Sequence, residues 1–567
     1  MPDKTNGKGQ HGEPRILIVG GVAGGASCAT RARRLSEKAE IIIFERGAYV
    51  SFANCGLPYY VGDVVTRERS LLVATPELFK DRFNITVKLQ NEVLAIDRNK
   101  QEIVIKNLIT GEVYREYYDA LVLAPGAVPV RPPLPGINLP GIFTLRTIPD
   151  SREIRGWISG RKPKRAIVVG GGFIGLEMAE NLVKCGIPVS IIEMLDQVMP
   201  PVDTEIAVAL QEHLIANGVV LHLGDAVARF EQNADNSISV VTASGEKYPC
   251  DMVLLAIGVR PEITLAKEAG LEIGQLGGIR VDDGMHTSDR KIWAVGDAVE
   301  VRDFITGEWG LVPLAGPASR QGRLAADVIL GREEKLRGVQ GTMACRVFNT
   351  TVAATGVTEK RLGYLLLKSK GIPYEKVYLH PNQHAAYYPG AKQMMMKLIF
   401  SPIDGKILGA QAVGEEGVEK RIDVIAMAIQ KGATVFDLEE AELCYAPQFG
   451  MAKDAVNMAG MVAANALRGD MPLTHWTEVL EREALILDVR EPQEFSTGHA
   501  DNAVNIPLHT LRARLHELPR DKEIAVCCAA GQRSYIATRI LCQNGFTAKN
   551  ISGGIRIYNT KRKAVSK

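Results

Sequence analysis

The feature that most restricts how this chain can fold is a strand, glycine turn and helix pattern that occurs twice, once near residue 20 and once near residue 170. Arg15 to Gly20 (RILIVG) reads as a short buried strand, followed by Gly20-Gly21-Val22-Ala23-Gly24-Gly25 and a helical stretch through Leu35. Ala166 to Gly170 reads as a second such strand, after which Gly170-x-Gly172-x-x-Gly175, with Phe173 and Ile174 between, opens a helix through Lys184. A turn of this kind brings backbone N–H groups at a helix N-terminus up to a pyrophosphate, whose charge the helix dipole stabilises. The first copy departs from G-x-G-x-x-G at Val22; the second fits in full.

Both copies continue as nucleotide-binding units should. The strand Glu40 to Phe44 ends at Glu45, followed by Arg46, where a carboxylate can accept hydrogen bonds from a ribose diol. In the second copy Val189 to Ile192 ends at Glu193, which favours the free 2′-hydroxyl of NADH and repels a 2′-phosphate. Met194-Leu195-Asp196 offers no arginine to reverse that choice.

At 567 residues the chain is too long for one core, so two to four domains are expected. Its 67 basic and 65 acidic residues leave a net charge of +2, which gives no broad attraction for nucleic acid or anionic membrane. Residues 1 to 13 are polar, and later apolar runs are short and broken by charge, so a cytoplasmic enzyme that neither enters nor crosses a membrane is expected. The nine cysteines are scattered and never spaced C-x-x-C, which argues against a disulfide framework or a metal site.

Ile292-Trp293-Ala294-Val295-Gly296-Asp297 resembles the second FAD motif of two-dinucleotide flavoproteins, and Leu121 to Ala127 resembles their crossover strand. The resemblance implies FAD contacts at the first glycine turn, Glu45, Arg46, Ala124, Gly126, Gly296, Pro313 and Ala315, with Asp297 holding the ribityl chain. Gly258-Val259-Arg260-Pro261-Glu262 is similar to the segment that closes the nicotinamide domain, so Gly258 joins the expected NADH site. Two nucleotide sites in this order imply hydride transfer from nicotinamide to flavin.

Ser51-Phe52-Ala53-Asn54-Cys55-Gly56-Leu57-Pro58-Tyr59-Tyr60 contains one cysteine where glutathione-reductase-like enzymes carry a pair. It closely resembles coenzyme A disulfide reductases and their persulfide-reducing relatives over residues 14 to 468, including Tyr387-Tyr388-Pro389-Gly390 and Tyr445-Ala446-Pro447-Gln448-Phe449. The resemblance implies that Cys55 attacks a sulfur-sulfur bond and is freed by reduced flavin. A helix beginning near Cys55 is expected to lower its pKa. By the same resemblance the chain forms a homodimer in which Tyr387 and Tyr445 reach the partner's active site and assist a leaving thiolate. Coenzyme A is expected at Ser27, Arg31, Arg34, Ser51, Asn54, Lys80 and Arg82, although Arg31 and Arg34 also read as solvated helix charges.

After Arg468-Gly469-Asp470-Met471-Pro472 a new alternation of strands and helices begins near His475. Leu485 to Glu491 followed by Glu494-Phe495 and Gly498-His499, then Ile524 to Ser534, resembles a rhodanese domain whose loop runs from Cys528 to Arg533. The register C-x-x-G-x-R-S selects Cys528 as the sulfur carrier, with Cys527 ending a buried strand and Arg533 supplying positive charge. The expected fold is α/β: an FAD-binding domain (14–127 and 278–338), an NAD-binding domain (128–277), an α+β dimerisation domain (339–468) and a rhodanese domain (475–567). The expected activity is NADH-dependent reduction of sulfane sulfur as coenzyme A persulfide, polysulfide or elemental sulfur. Coenzyme A disulfide reduction, NADH oxidation and a redox-sensing binding role remain as alternatives.

Overall fold

The computed structural model describes residues 14–367, 371–482 and 484–565. By contacts the chain forms two compact units, one running through Met194 and from Asp225 to Gly341, the other comprising Leu195–Gly224 and the chain from Thr342 onward.

The first unit holds both glycine turns. Strands Arg15–Val19, Glu40–Glu45 and Thr86–Leu89 pair in parallel on one side, and Ala120–Leu123 and Ile292–Ala294 continue the same sheet on the other. Ile16, Leu17 and Ile18 are fully buried, as a parallel strand covered on both faces requires. A second parallel sheet is built from Val189–Glu193, Ala166–Val169, Met252–Leu255 and Ile142–Phe143. Antiparallel pairing of Ala127–Pro129 with Val259–Pro261 links the crossover segment to the segment after Gly258.

Close packing dictates the glycines. Gly20 has φ +95°, and a Cβ there would fall 2.1 Å from the Ala124 carbonyl oxygen; one at Gly25 would fall 1.9 Å from that of Gly20. Val22 has φ −98° and ψ −133°, so this position does not need the positive φ that favours glycine.

The second unit contains an antiparallel sheet in the order Met343–Val347, Thr350–Gly356, Ile407–Gly414, Met395–Phe400, Glu375–Leu379. Beyond it lies a parallel sheet, Leu473–Thr474, Ala548–Ile551, Ile524–Cys527, Leu485–Asp488 and Val504–Asn505. Trp476 is 1% exposed and donates its indole N–H to the Gly554 carbonyl at 2.7 Å, tying the start of this domain to its last helix.

Residues 195–224, read from sequence as part of the nucleotide domain, pack with the second unit. Asp203 accounts for this. Its carboxylate accepts from the fully buried Lys397 at 2.8 Å and from the backbone N–H groups of Glu359 and Lys360, and its own N–H reaches Gln411. Burial alone would lower the Lys397 pKa, but Glu205, Asp203 and Glu359 hold it above the ordinary lysine value. Among the described residues no helix is long and apolar enough to cross a membrane.

Candidate active sites

Cys55 stands in a short turn, Asn54–Gly56, leading into the five-residue helix Leu57–Val61. The turn is tied back to the first glycine loop, since Ser51 N–H donates to the Gly21 carbonyl at 2.8 Å and the Ser51 carbonyl accepts from Val73 and Ala74. This anchoring holds Ser51 at φ +46°, a left-handed conformation imposed by the surrounding hydrogen bonds. Cys55 is exposed, and no other cysteine lies in the turn.

The expected lowering of the Cys55 pKa does not occur. The thiol is pushed up, first by the water that neighbouring protein atoms displace, then by the charges of Glu177 and Asp297. The helix behind it has one turn and a correspondingly small dipole, so the loss of water, with the two carboxyl groups adding to it, prevails.

The two carboxyl groups come from distant segments. Asp297 sits in the turn Gly296–Ala298 after strand Ile292–Ala294; burial raises its pKa and Arg146 opposes the shift. Gln321 fixes that turn by accepting the Gly296 N–H at 2.7 Å. Glu177 lies on the helix Phe173–Lys184 that the second glycine turn opens, and accepts from the Tyr59 hydroxyl at 3.1 Å. Burial pushes its carboxyl up to about 7, with Glu180 adding to the shift and Tyr59 opposing it. Sequence reading missed both Glu177 and Tyr59. Their only local signal was proximity to a glycine turn and to Cys55.

The cradles fit the two nucleotides. Glu45 accepts from Gly21 N–H at 3.0 Å and from Gly47 N–H at 2.8 Å, leaving the carboxylate at the lip of the first turn; exposed Arg46 follows it. In the second turn Glu193 accepts from Gly171 N–H at 2.7 Å, while a Cβ at Gly172 would meet nothing within 4 Å, so space stays open before Phe173 and Ile174. A Cβ at Gly175 would fall 2.0 Å from the Gly170 carbonyl, which brings helix and strand together. Gly126 and Gly258 both have positive φ at the ends of the paired linker strands, and Arg146 donates to the Pro125 carbonyl beside Ala124. Pro313 and Ala315 are exposed at the start of the helix Ala315–Ile329.

The residues expected to meet coenzyme A divide. Arg31 donates twice to one oxygen of Asp327, at 2.6 and 3.0 Å, so its charge is already met. Ser51 is buried with its backbone committed to the loop. Arg34 lies over the Phe83 ring, Lys80 donates to Asn84, and Asn54 and Arg82 are exposed. Ser27 lies on the same helix as Arg31 and Arg34.

In the second unit the hydroxyls of Tyr387 and Tyr445 are 3.0 Å apart. Both rings are exposed, as are Tyr388 and Phe449, an aromatic patch of the kind that partners cover. The supporting loops are fastened by Arg421, which is 2% exposed, pairs with Asp454 at 2.8 Å and donates to the Gln383 carbonyl.

The last sheet presents the loop that follows strand Ile524–Cys527. Cys528 is 2% exposed, and its sulfur accepts from Gly531 N–H at 3.1 Å and from the Ser534 hydroxyl at 3.4 Å. One backbone donor and one hydroxyl make these contacts. Cys527 is fully buried, and burial, with Asp488 beside it, raises its thiol well above the ordinary value. Arg533 is clasped by Glu494.

Residues 14–322 match the pyridine nucleotide-disulphide oxidoreductase family, 342–455 its dimerisation domain, and 475–561 the rhodanese-like domain. The crystal structure of reduced Bacillus anthracis CoADR-RHD is similar at 47% identity and TM-score 0.94, covering 97% of this chain and 98% of that one. A NAD-dependent persulfide reductase from A. fulgidus is similar at 38% identity and TM-score 0.88, covering 96% of this chain and all of that one. An NADH oxidase of Methanocaldococcus jannaschii is 35% identical and a coenzyme A disulfide reductase of Staphylococcus haemolyticus 33%, over 80% and 79% of this chain and 99% of each relative. The family implies FAD and NAD(H), and the two glycine cradles are of the right kind for both. The chain therefore belongs to the pyridine nucleotide-disulphide oxidoreductases, as a member that joins their nucleotide and dimerisation domains to a rhodanese-like domain.

Proposed function

We propose that the protein reduces sulfane sulfur with NADH, through Cys55, and that Cys528 accepts or delivers persulfide sulfur. The observation that carries this reading is that the exposed Cys55 thiol stands without a second cysteine in its turn. A lone nucleophile beside a flavin cradle suits an intermolecular sulfur-sulfur bond, because the covalent partner must come from the substrate. When bound, FAD would relay two electrons from NADH to that bond.

The Cys55 thiolate attacks the inner sulfur of a persulfide RSSH; a bond forms to that sulfur, and the electron pair of the broken bond leaves as hydrosulfide. Two electrons from NADH then split the mixed disulfide into the Cys55 thiolate and the thiol. The balance is RSSH + NADH giving RSH, HS⁻ and NAD⁺. Glu193 at the second cradle favours NADH over NADPH. Tyr387 and Tyr445, contributed by the partner subunit of a homodimer, stabilise the leaving hydrosulfide by hydrogen bonding and pass the proton that the organic thiolate takes up as it is released. Ser27, Arg34, Asn54, Lys80 and Arg82 meet a coenzyme A carrier; Arg31 contributes once it is released from Asp327, and Ser51 shapes the floor. The remaining boundaries follow the same plan, with FAD and NAD segments before residue 339 and the rhodanese domain from 475. A cytoplasmic site of action suits the NADH supply.

An anaerobic NADH-oxidation panel over coenzyme A persulfide, glutathione persulfide, polysulfide and coenzyme A disulfide tests this. The parent protein should release hydrosulfide fastest from a persulfide, C55S should not, and C528S should still turn over free persulfide. A parent protein that prefers coenzyme A disulfide, or that consumes NADH only with oxygen, would move the assignment to the activity of one or the other curated relative.

A further inference from the structure

We propose that Glu494 determines which sulfur donors the Cys528 loop accepts: by holding Arg533 in a neutral pair, it disfavours the thiosulfate dianion and leaves the loop to persulfides. The inference rests on the reading that Cys528 carries sulfane sulfur.

Arg533 is the only charged residue between Cys528 and Ser534. Its two terminal nitrogens donate to the two oxygens of Glu494 at 2.6 and 2.7 Å, a fork-to-fork pair in which both charges are met. Glu494 is fixed independently, because its carboxylate also accepts the Glu491 N–H at 3.1 Å as part of the cap of the helix Pro492–Ser496. Its position therefore does not depend on Arg533 alone.

The surrounding charges are also engaged. Arg490 is closed on buried Asp488 at 2.6 Å and donates to the Glu494 carbonyl. His509 faces Glu491, and His499 stacks on Phe495. The last helix donates the N–H groups of Ile555 and Arg556 to the carbonyls of Cys528 and Ala529, while the Arg556 guanidinium turns to Gln393. Cys528 itself is buried, so a donor must shed water to reach it. A dianion loses far more hydration than a neutral RSSH, and an uncommitted cation would offset much of that loss.

Both transfers balance without a further reactant. With thiosulfate, a bond forms from Cys528 Sγ to the outer sulfur, the internal sulfur-sulfur bond breaks, and its electron pair leaves on sulfite. With a persulfide, the same bond forms to the terminal sulfur, and the pair leaves on the organic thiolate, with the proton retained on the new Cys528 persulfide.

The test uses the full chain carrying C55S, with Cys528 persulfidation followed by trapping and peptide mass spectrometry in single turnover. Thiosulfate and 2-mercaptoethanol persulfide are the probes. In E494Q the rate from thiosulfate should rise about tenfold and become more sensitive to salt, while the rate from the persulfide changes less than about threefold. E494D, which keeps the charge, should stay near the parent for both donors and controls for loss of the helix cap. Equal changes for both donors, or no gain with thiosulfate, would overturn the role of Glu494 alone. Failure of both donors to load Cys528 in the parent background would overturn the sulfur-carrying reading as well.

Discussion

Cys55 and Cys528 occupy opposite kinds of site. Cys55 is exposed, with two carboxyl groups acting on it and its thiol pushed up; Cys528 is buried, with a backbone N–H and a hydroxyl directed at its sulfur. Charge that develops on Cys528 finds donors already in place, so persulfide can be held there without rearrangement. Charge on Cys55 must be created where water has been displaced and against Glu177 and Asp297. On the proposed function, the Cys528 site suits storage of sulfur and the Cys55 site suits reaction on demand.

The largest effect that would break this comparison is removal of the reacting thiol. C55S should lower NADH-dependent hydrosulfide release by on the order of 10³-fold, read by a sulfide-selective probe. An undiminished rate would transfer the reduction step to another group. Next comes Y445F, expected to lower kcat about a hundredfold if its hydroxyl stabilises the leaving hydrosulfide and passes the proton to the organic thiolate. Y387F should follow it, since the two hydroxyls share one hydrogen bond, whereas unchanged turnover in both would leave the pair with a packing role.

A smaller effect sharpens the storage side. S534A removes one of the two donors to Cys528 and should shorten the lifetime of its persulfide about tenfold, as loss of a hydrogen bond to a charged group does. No change would mean that the Gly531 N–H suffices.

The smallest effect concerns pH at Cys55. Glu177 ionises near pH 7, so as pH rises through that value a negative charge appears beside the thiol and opposes its ionisation. E177Q should remove the opposition and speed iodoacetamide alkylation of Cys55 about threefold at pH 8, with a smaller gain at pH 6 where Glu177 is mostly protonated. The reverse order of those two gains would show that the carboxyl acts on Cys55 by some other means.

Local features proved readable. Both glycine turns, the lone cysteine and the Cys528 loop announce themselves within a dozen residues, because strand, turn and helix N-terminus are local events with local residue requirements. Val22, which breaks the fingerprint, sits at a negative φ, where glycine is not required. The Cys55 pKa was misread for the opposite reason: sequence shows a helix after the cysteine but not the acids that fold brings to it.

What the chain's order of residues determined by itself is the succession of glycine turns and cysteine loops, since each is written in short-range pattern. Tertiary structure alone decided the charges those turns and loops feel. Tyr59 meets Glu177 across 118 positions, Arg31 meets Asp327 across 296, and Lys397 meets Asp203 across 194. Electrostatic energy depends on distance in space and on displaced water, and neither is encoded by separation along the chain.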